Sequence, residues 1–278
     1  MLSPLISPEE LAPVLDRVRL LDVRGEADYA GGHLPGALRV DLDRDLSRAT
    51  EPGHDPAKSG RHPLPTLRRW LETVGRWGIG PDTPVVVYDA QSGANAARAW
   101  WMLRAIGHPR VVVLDGGLPA AQAAGLPVTA EVPLVEDLGA YPALHWDLTT
   151  VDIDVVEALA QRDDWKVLDV RASARYRGET ETLDPVAGHI PGARNLPFSE
   201  NLQEGGRFKP RAELRAHFET FLGGTPVERL VVHCGSGVTA CHTLLALEQA
   251  ELPGAALFVG SWSEWCRSGK PQATGAEP

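Results

Sequence analysis

The chain has 278 residues, 43% hydrophobic and 23% charged, with a mean hydropathy of −0.16, a composition that suits a globular protein of about two domains and excludes a disordered one. Its 27 basic and 37 acidic residues give a net charge of −10 and a pI near 5.4, which excludes a broad nucleic-acid or anionic-membrane footprint and requires any anion to be bound locally. No apolar run reaches the length of a membrane span, the start MLSPLISPEELAPVL lacks a basic stretch and apolar core, and three cysteines make neither a disulfide framework nor a zinc spacing, so the expectation is a soluble, cytoplasmic protein with no metal.

In chain order, the first signal is LLDVRGEADYAGGHLPGALRV, Leu20 to Val40, a strand that runs into Asp22-Val23-Arg24 and a Gly-His-x-Pro-Gly-Ala turn at Gly32 to Ala37. An acidic run, Asp41 to Asp45, and the loop Arg61-His62-Pro63 follow. Val85 to Asp89 then reads as a buried parallel strand entering a helix over Ala94 to Ile106, and Val111 to Gly117 as a strand with a Gly-marked turn. Gly125 to Trp146 holds Pro127, Pro133 and Pro142 without a sustained period and reads as a connection.

The same order then recurs. Asp169-Val170-Arg171 lies 147 positions after Asp22-Val23-Arg24, and a second Gly-His-x-Pro-Gly-Ala turn at Gly188 lies 156 after the first, so the second copy carries nine extra residues, within Glu179 to Ala187. Leu230 to Cys234 matches Val85 to Asp89, Thr239 to Ala250 is helical, and Ala255 to Ser261 is again a strand with a Gly-marked turn. Alternating short apolar strands and helices indicate an α/β fold built twice: a domain over residues 1–127, a linker over 128–148 and a second domain over 149–278, each a parallel sheet with helices on both faces. The end, Pro271 to Pro278, is expected to fray. The Asp/Arg pairs, His33 and His189 are expected to tie loops and turns, and Trp100, Trp101, Trp262 and Trp265 to pack first.

One thiol stands in a special place. Cys234 ends a strand and continues as Gly235-Ser236-Gly237-Val238-Thr239-Ala240 into a helix, at the sheet edge where open α/β folds bind ligands. Two glycines let the loop curl so that amides and the helix start can stabilise a thiolate or a bound anion. Asp89 occupies the equivalent position in the first half and cannot carry a sulfane sulfur, so the first half is expected to be catalytically inactive. Cys241, two helical turns on, reads as packing with a redox partnership to Cys234 as the alternative, and Cys266 as incidental. Phosphoryl transfer is disfavoured, because the positions six and seven after Cys234 are Ala240 and Cys241 rather than a phosphate-clamping arginine.

These motifs, with Arg98 to His108, Leu114-Asp115-Gly116-Gly117 and Gly260 to Trp265, resemble the two-domain rhodanese family of thiosulfate and 3-mercaptopyruvate sulfurtransferases over nearly the whole chain. The resemblance implies two tandem rhodanese-like domains and a Cys234 persulfide that passes sulfur from a small anionic donor to cyanide, a thiol or a protein acceptor, with no cofactor. It also implies that Gly235, Gly237, Val238, Thr239 and Ala240 form the anion cup, that Arg175 binds the donor, and that Ser236, His62 and Asp43 move protons. Gly235-Ser236 matches the mercaptopyruvate branch, whereas the second arginine which that branch carries in the insertion is absent from Glu179 to Asp184. The alternative is a noncatalytic persulfide carrier or protein-interaction module on the same fold.

Overall fold

The structure, a computed structural model, describes residues 3–90 and 92–278. Two compact units account for the chain: one comprises Met1–Ser47, Pro65–Leu148 and Glu204–Phe208, the other Arg48–Leu64, Thr149–Gln203 and Lys209–Pro278.

The first unit is built on five parallel strands, β1 (Leu5–Ile6), β2 (Arg19–Asp22), β3 (Ala37–Arg39), β4 (Val85–Tyr88) and β5 (Val111–Leu114), in the order β1-β5-β4-β2-β3. All four residues of β4 are buried, as a central strand of a parallel sheet requires when both faces are covered. Leu20, Val86 and Leu114 point to one face, where they pack with Leu11, Leu34, Leu118 and Ala121; Leu21, Val87 and Val113 are equally buried on the other. The β-branched run Val85-Val86-Val87 therefore folds as a strand because each residue gains burial whichever way it points.

The second unit repeats this plan with β6 (Thr150–Val151), β7 (Lys166–Asp169), β8 (Arg194–Asn195), β9 (Leu230–His233) and β10 (Ala256–Phe258), all parallel, in the order β6-β10-β9-β7-β8. Val167, Val231, Ala256 and Phe258 pack with Val156, Ile190, Trp262 and Trp265. The chain is thus an α/β protein of two parallel five-stranded sheets. Among the described residues no helix is long and apolar enough to cross a membrane.

The repeated motifs do the same work in each unit. Arg24 donates to both Asp22 carboxylate oxygens and to the Gly32 carbonyl, at 2.7 Å for the latter; Arg171 does the same with Asp169 and with Gly188, also at 2.7 Å. His33 and His189 stack on Tyr29 and Tyr176 with ring centroids 3.8 Å apart, and each backbone pairs with a strand-like partner, Thr129 and Ala273 respectively. That second pairing corrects the expectation of a frayed end. Ala273 exchanges backbone hydrogen bonds with His189, the Gly275 N–H donates to the Arg177 carbonyl at 2.9 Å, and the Glu277 carbonyl lies 3.1 Å from His189 Nε2. A polar tail stays ordered here because its backbone groups complete hydrogen bonds that the turn leaves open.

Candidate active site

The site grows from the C-terminal end of β9. The strand delivers Cys234, whose residue is 1% exposed, to a tight loop, and the Gly237 N–H points at Cys234 Sγ over 3.1 Å. Gly237 has φ of 75°, and a Cβ there would run into the Val259 carbonyl, so only glycine lets this amide turn inward. The helix Thr239–Gln249 begins at the loop's end with Val238 at its N-cap and no side chain capping it, so the loop sits on an uncapped, electropositive helix start. Val238 and Ala240 are buried and Thr239 is half-buried at that start. Cys241, below the loop, donates from Sγ to the Gly237 carbonyl at 3.3 Å and braces the turn.

The loop is also held from the side. Ser261 takes φ of 53°, unusual for a residue with a Cβ, and its hydroxyl accepts the Cys234 N–H at 3.1 Å while donating to the Phe258 carbonyl at 2.9 Å. The Trp262 and Ser263 amides donate to the Cys234 and Gly235 carbonyls at 3.0 and 2.8 Å. Beneath lies a buried ionic layer. Burial pushes the Asp169 carboxyl up, but the Arg171 guanidinium outweighs it and holds that group below the usual carboxylate range. Burial pushes the His233 imidazole down, against the pull of Asp169, so the residue before Cys234 is held neutral.

His62 reaches this loop from a remote stretch of chain. Arg48–Leu64 belongs to the second unit, closed at its base by the Arg48 N–H donating to the Pro63 carbonyl at 3.0 Å. Asp55 caps the short helix Pro56–Ser59, and Gly60, with φ of 74°, ends it; a Cβ on Gly60 would run into the Gly260 carbonyl. This close approach lets the Arg61 N–H donate to Ser263 Oγ at 3.0 Å and sets His62 Nδ1 2.7 Å from Ser236 Oγ. Ser236 and His62 are therefore brought together. Asp43 lies in the first unit, in the turn Asp41 to Asp45, where its N–H donates to the Asp41 carboxylate at 3.1 Å and its carbonyl accepts the Ser47 hydroxyl at 2.9 Å.

Arg175 stands at Gly235: a Cβ on that glycine would lie 3.5 Å from both of its Nη atoms. The nine-residue insertion beside it supplies acids. Glu181, with its side chain 3% exposed, accepts from Arg175 Nη2 at 2.7 and 2.8 Å. Asp184, fully buried, pairs with Arg61 Nε at 3.1 Å and Arg267 Nη1 at 2.8 Å. Buried carboxylates are costly unless multiply paired, and both of these are. Arg61, Glu181, Asp184 and Arg267 escaped the sequence reading. In a linear sequence a buried acid looks like any surface acid, and the only signal was Arg61 standing next to His62.

The equivalent loop of the first unit is filled from within. Asp89 accepts the amides of Gly93, Asn95 and Ala96 at 3.0, 2.8 and 3.0 Å, capping the start of the helix Ala96–Arg104 with its own carboxylate.

Comparison with known proteins agrees with this duplicated plan. The model of the rhodanese-like domain matches twice, over residues 7–124 and 152–268. A Pseudomonas aeruginosa protein named "probable 3-mercaptopyruvate sulfurtransferase" is 44% identical over 90% of this chain and 87% of its own. The thiosulfate sulfurtransferase of Rattus norvegicus is 36% identical over 88% of this chain and 81% of its own. The structure of the 3-mercaptopyruvate sulfurtransferase from Leishmania major superposes with a TM-score of 0.84 at 28% identity, covering 97% of this chain and 75% of that one. Two sheets of one strand order, two Gly-His-x-Pro-Gly-Ala turns and two matches to one family model have a single explanation: the chain belongs to the rhodanese-like family and carries two of its domains in tandem.

Proposed function

We propose that the chain is a sulfurtransferase that moves sulfur from 3-mercaptopyruvate, and less readily thiosulfate, to cyanide or a thiol through a persulfide on Cys234. The observation that carries the reading is the Gly237 N–H aimed at Cys234 Sγ over 3.1 Å at an uncapped helix start. A thiolate there is a nucleophile and its persulfide an anion, and inward amides above a helix start stabilise both.

In this reading the Cys234 thiolate attacks the donor's terminal sulfur, and the bond between that sulfur and the rest of the donor breaks. Thiosulfate then leaves as sulfite with the electron pair and no proton moves. With 3-mercaptopyruvate the pair stays on carbon, and the proton formerly on the donor thiol ends on that carbon as pyruvate forms. Only the second donor needs a proton carrier. The Ser236 hydroxyl and His62 imidazole, 2.7 Å apart, are placed to serve as one, accepting at sulfur and returning the proton at carbon. This favours 3-mercaptopyruvate, as does the absence of a basic side chain at Gly235 and Ser236. The resemblance assigns Asp43 a share in this proton movement, which Asp43→Asn tests as a fall in kcat. In the second half-reaction cyanide or a thiolate takes the outer sulfur and frees the Cys234 thiolate. A chain whose three cysteines are all free suits a reducing cytoplasm.

The test is thiocyanate release from cyanide with each donor, for the wild type and Cys234→Ser. The reading expects turnover with 3-mercaptopyruvate exceeding that with thiosulfate, and loss of both in the variant. Transfer that survives Cys234→Ser would sink the mechanism, and inactivity of the wild type with both donors would favour a noncatalytic persulfide carrier.

A further inference from the structure

We propose that Arg61 is the second donor-binding cation of this site: with Arg175 it forms a two-guanidinium clamp at Gly235 that takes the carboxylate of an α-keto acid donor, and the buried acids Glu181 and Asp184 position it. The proposal deepens the sulfurtransferase reading and rests on it for the identity of the donor.

Three observations carry it. First, both guanidiniums converge on one spot of the Cys234 loop, since a Cβ on Gly235 would lie 3.2 Å from Arg61 Nη2 and 3.5 Å from Arg175 Nη1 and Nη2. Second, the anchoring is one-sided. Arg61 and Arg175 hydrogen-bond to Asp184 and Glu181 through Nε and Nη2, while Arg61 Nη2 and both Nη atoms of Arg175 are the atoms that reach Gly235. Their side chains are 22% and 21% exposed, whereas those of Asp184 and Glu181 are 0% and 3% exposed, so the acids lie beneath and the cations face outward. Third, the charges do not cancel: Arg61, Arg171, Arg175 and Arg267 share three carboxylates, those of Asp169, Glu181 and Asp184. The one positive charge left over offsets the Cys234 thiolate that the mechanism requires, so the site does not repel an anionic donor.

This resolves the acidic insertion. It contributes no arginine; it contributes the carboxylates that hold arginines drawn from elsewhere. A planar guanidinium fixed along one edge is pre-organised to bind a carboxylate along the other. Arg61 reaches Gly235 because Gly60 allows the chain to pass against Gly260.

The test pairs turnover with equilibrium binding. Arg61→Ala is expected to raise KM for 3-mercaptopyruvate about tenfold or more while kcat stays within about threefold, with Arg61→Lys intermediate. The control is Arg177→Ala, which removes a cation paired with Glu179 of the same insertion but no partner of Asp184 and no group at Gly235, and it is expected to leave KM within about twofold. Pyruvate binding by calorimetry, in a Cys234→Ser background and its Arg61→Ala derivative, is expected to weaken about tenfold and needs no turnover. If Arg61→Ala melts early, Arg61→Lys carries the test, because it keeps a charge beside Asp184 while losing the fork. The proposal is overturned by an unchanged KM and pyruvate affinity in the Arg61 variants, or by an equal rise in Arg177→Ala. Weakened pyruvate binding in a protein that transfers no sulfur would uphold the clamp and reject the sulfurtransferase reading, so the two failures are distinguishable.

Discussion

The loops after β4 and β9 occupy the same place in two copies of one fold and solve the same electrostatic problem in opposite ways. Each presents backbone amides at a helix start. In the first unit, Asp89 accepts three of them and the loop is closed by its own carboxylate. In the second, Cys234 stands at that position, with the Gly237 amide on its sulfur. A carboxylate that fills its own cradle is a structural cap; a thiol in a similar cradle leaves room for charge that arrives during a reaction. The side groups differ to match. Ser236, His62, Arg61 and Arg175 converge on the second loop, while the first is organised for stability.

The largest effect that would break this comparison is expected at Ser236. Ser236→Ala should lower kcat with 3-mercaptopyruvate by about 10²-fold and with thiosulfate by less than about threefold, because only the first donor requires a proton to move. Steady-state assays with both donors check this, and an equal fall with both would remove the proton-carrier role. Next comes Asp89. Asp89→Ala strands three amides and should cost about 1–3 kcal/mol of stability, read from urea unfolding, while leaving Cys234-dependent transfer within about twofold. A loss of transfer without a loss of stability would show that the first loop is more than a cap.

The smallest expected effect lies in the helix that follows the next strand of each unit, after β5 and after β10. The helix Ser261–Trp265 carries Glu264, whereas its counterpart Gly117–Ala123 has no carboxylate. Burial, with Asp152 and Asp154 nearby, pushes the Glu264 carboxyl up to about 7. The native group thus holds a proton across a window from about 4.5 to about 7 in which the unfolded one has lost it, so its contribution to stability falls as pH rises through that window. Glu264→Gln should flatten the decline in melting temperature between about pH 5 and pH 8 and raise stability at the upper end. A pH profile identical to that of the wild type would count against this assignment.

Much of the molecule was legible before folding. The runs Val85-Val86-Val87 and Leu230-Val231-Val232 announced central parallel strands, because residues buried on both faces leave no alternation of polar positions. Asp22/Arg24 and Asp169/Arg171 formed the expected ties, and Ser236 and His62 met. The tail past Pro271 was misjudged because its polar composition conceals backbone pairing with the turn at His189. Arg61 and the insertion acids were missed for a related reason: their value lies in partners remote in the chain, with Arg61 and Asp184 separated by 123 positions.

By itself the sequence determined the duplicated α/β plan, the place of Cys234 at a strand end before a glycine loop, and the difference between Asp89 and Cys234 at equivalent positions, because strand periodicity, glycine turns and residue identity are local properties. Tertiary structure alone decided that Arg48–Leu64 folds with the second unit and that an insertion without a basic residue pairs its acids with arginines from remote stretches of the chain, Arg61 and Arg267 among them. The physical reason is that a charge acquires its role from burial and from the partners brought to it through space, and neither is written in the order of residues.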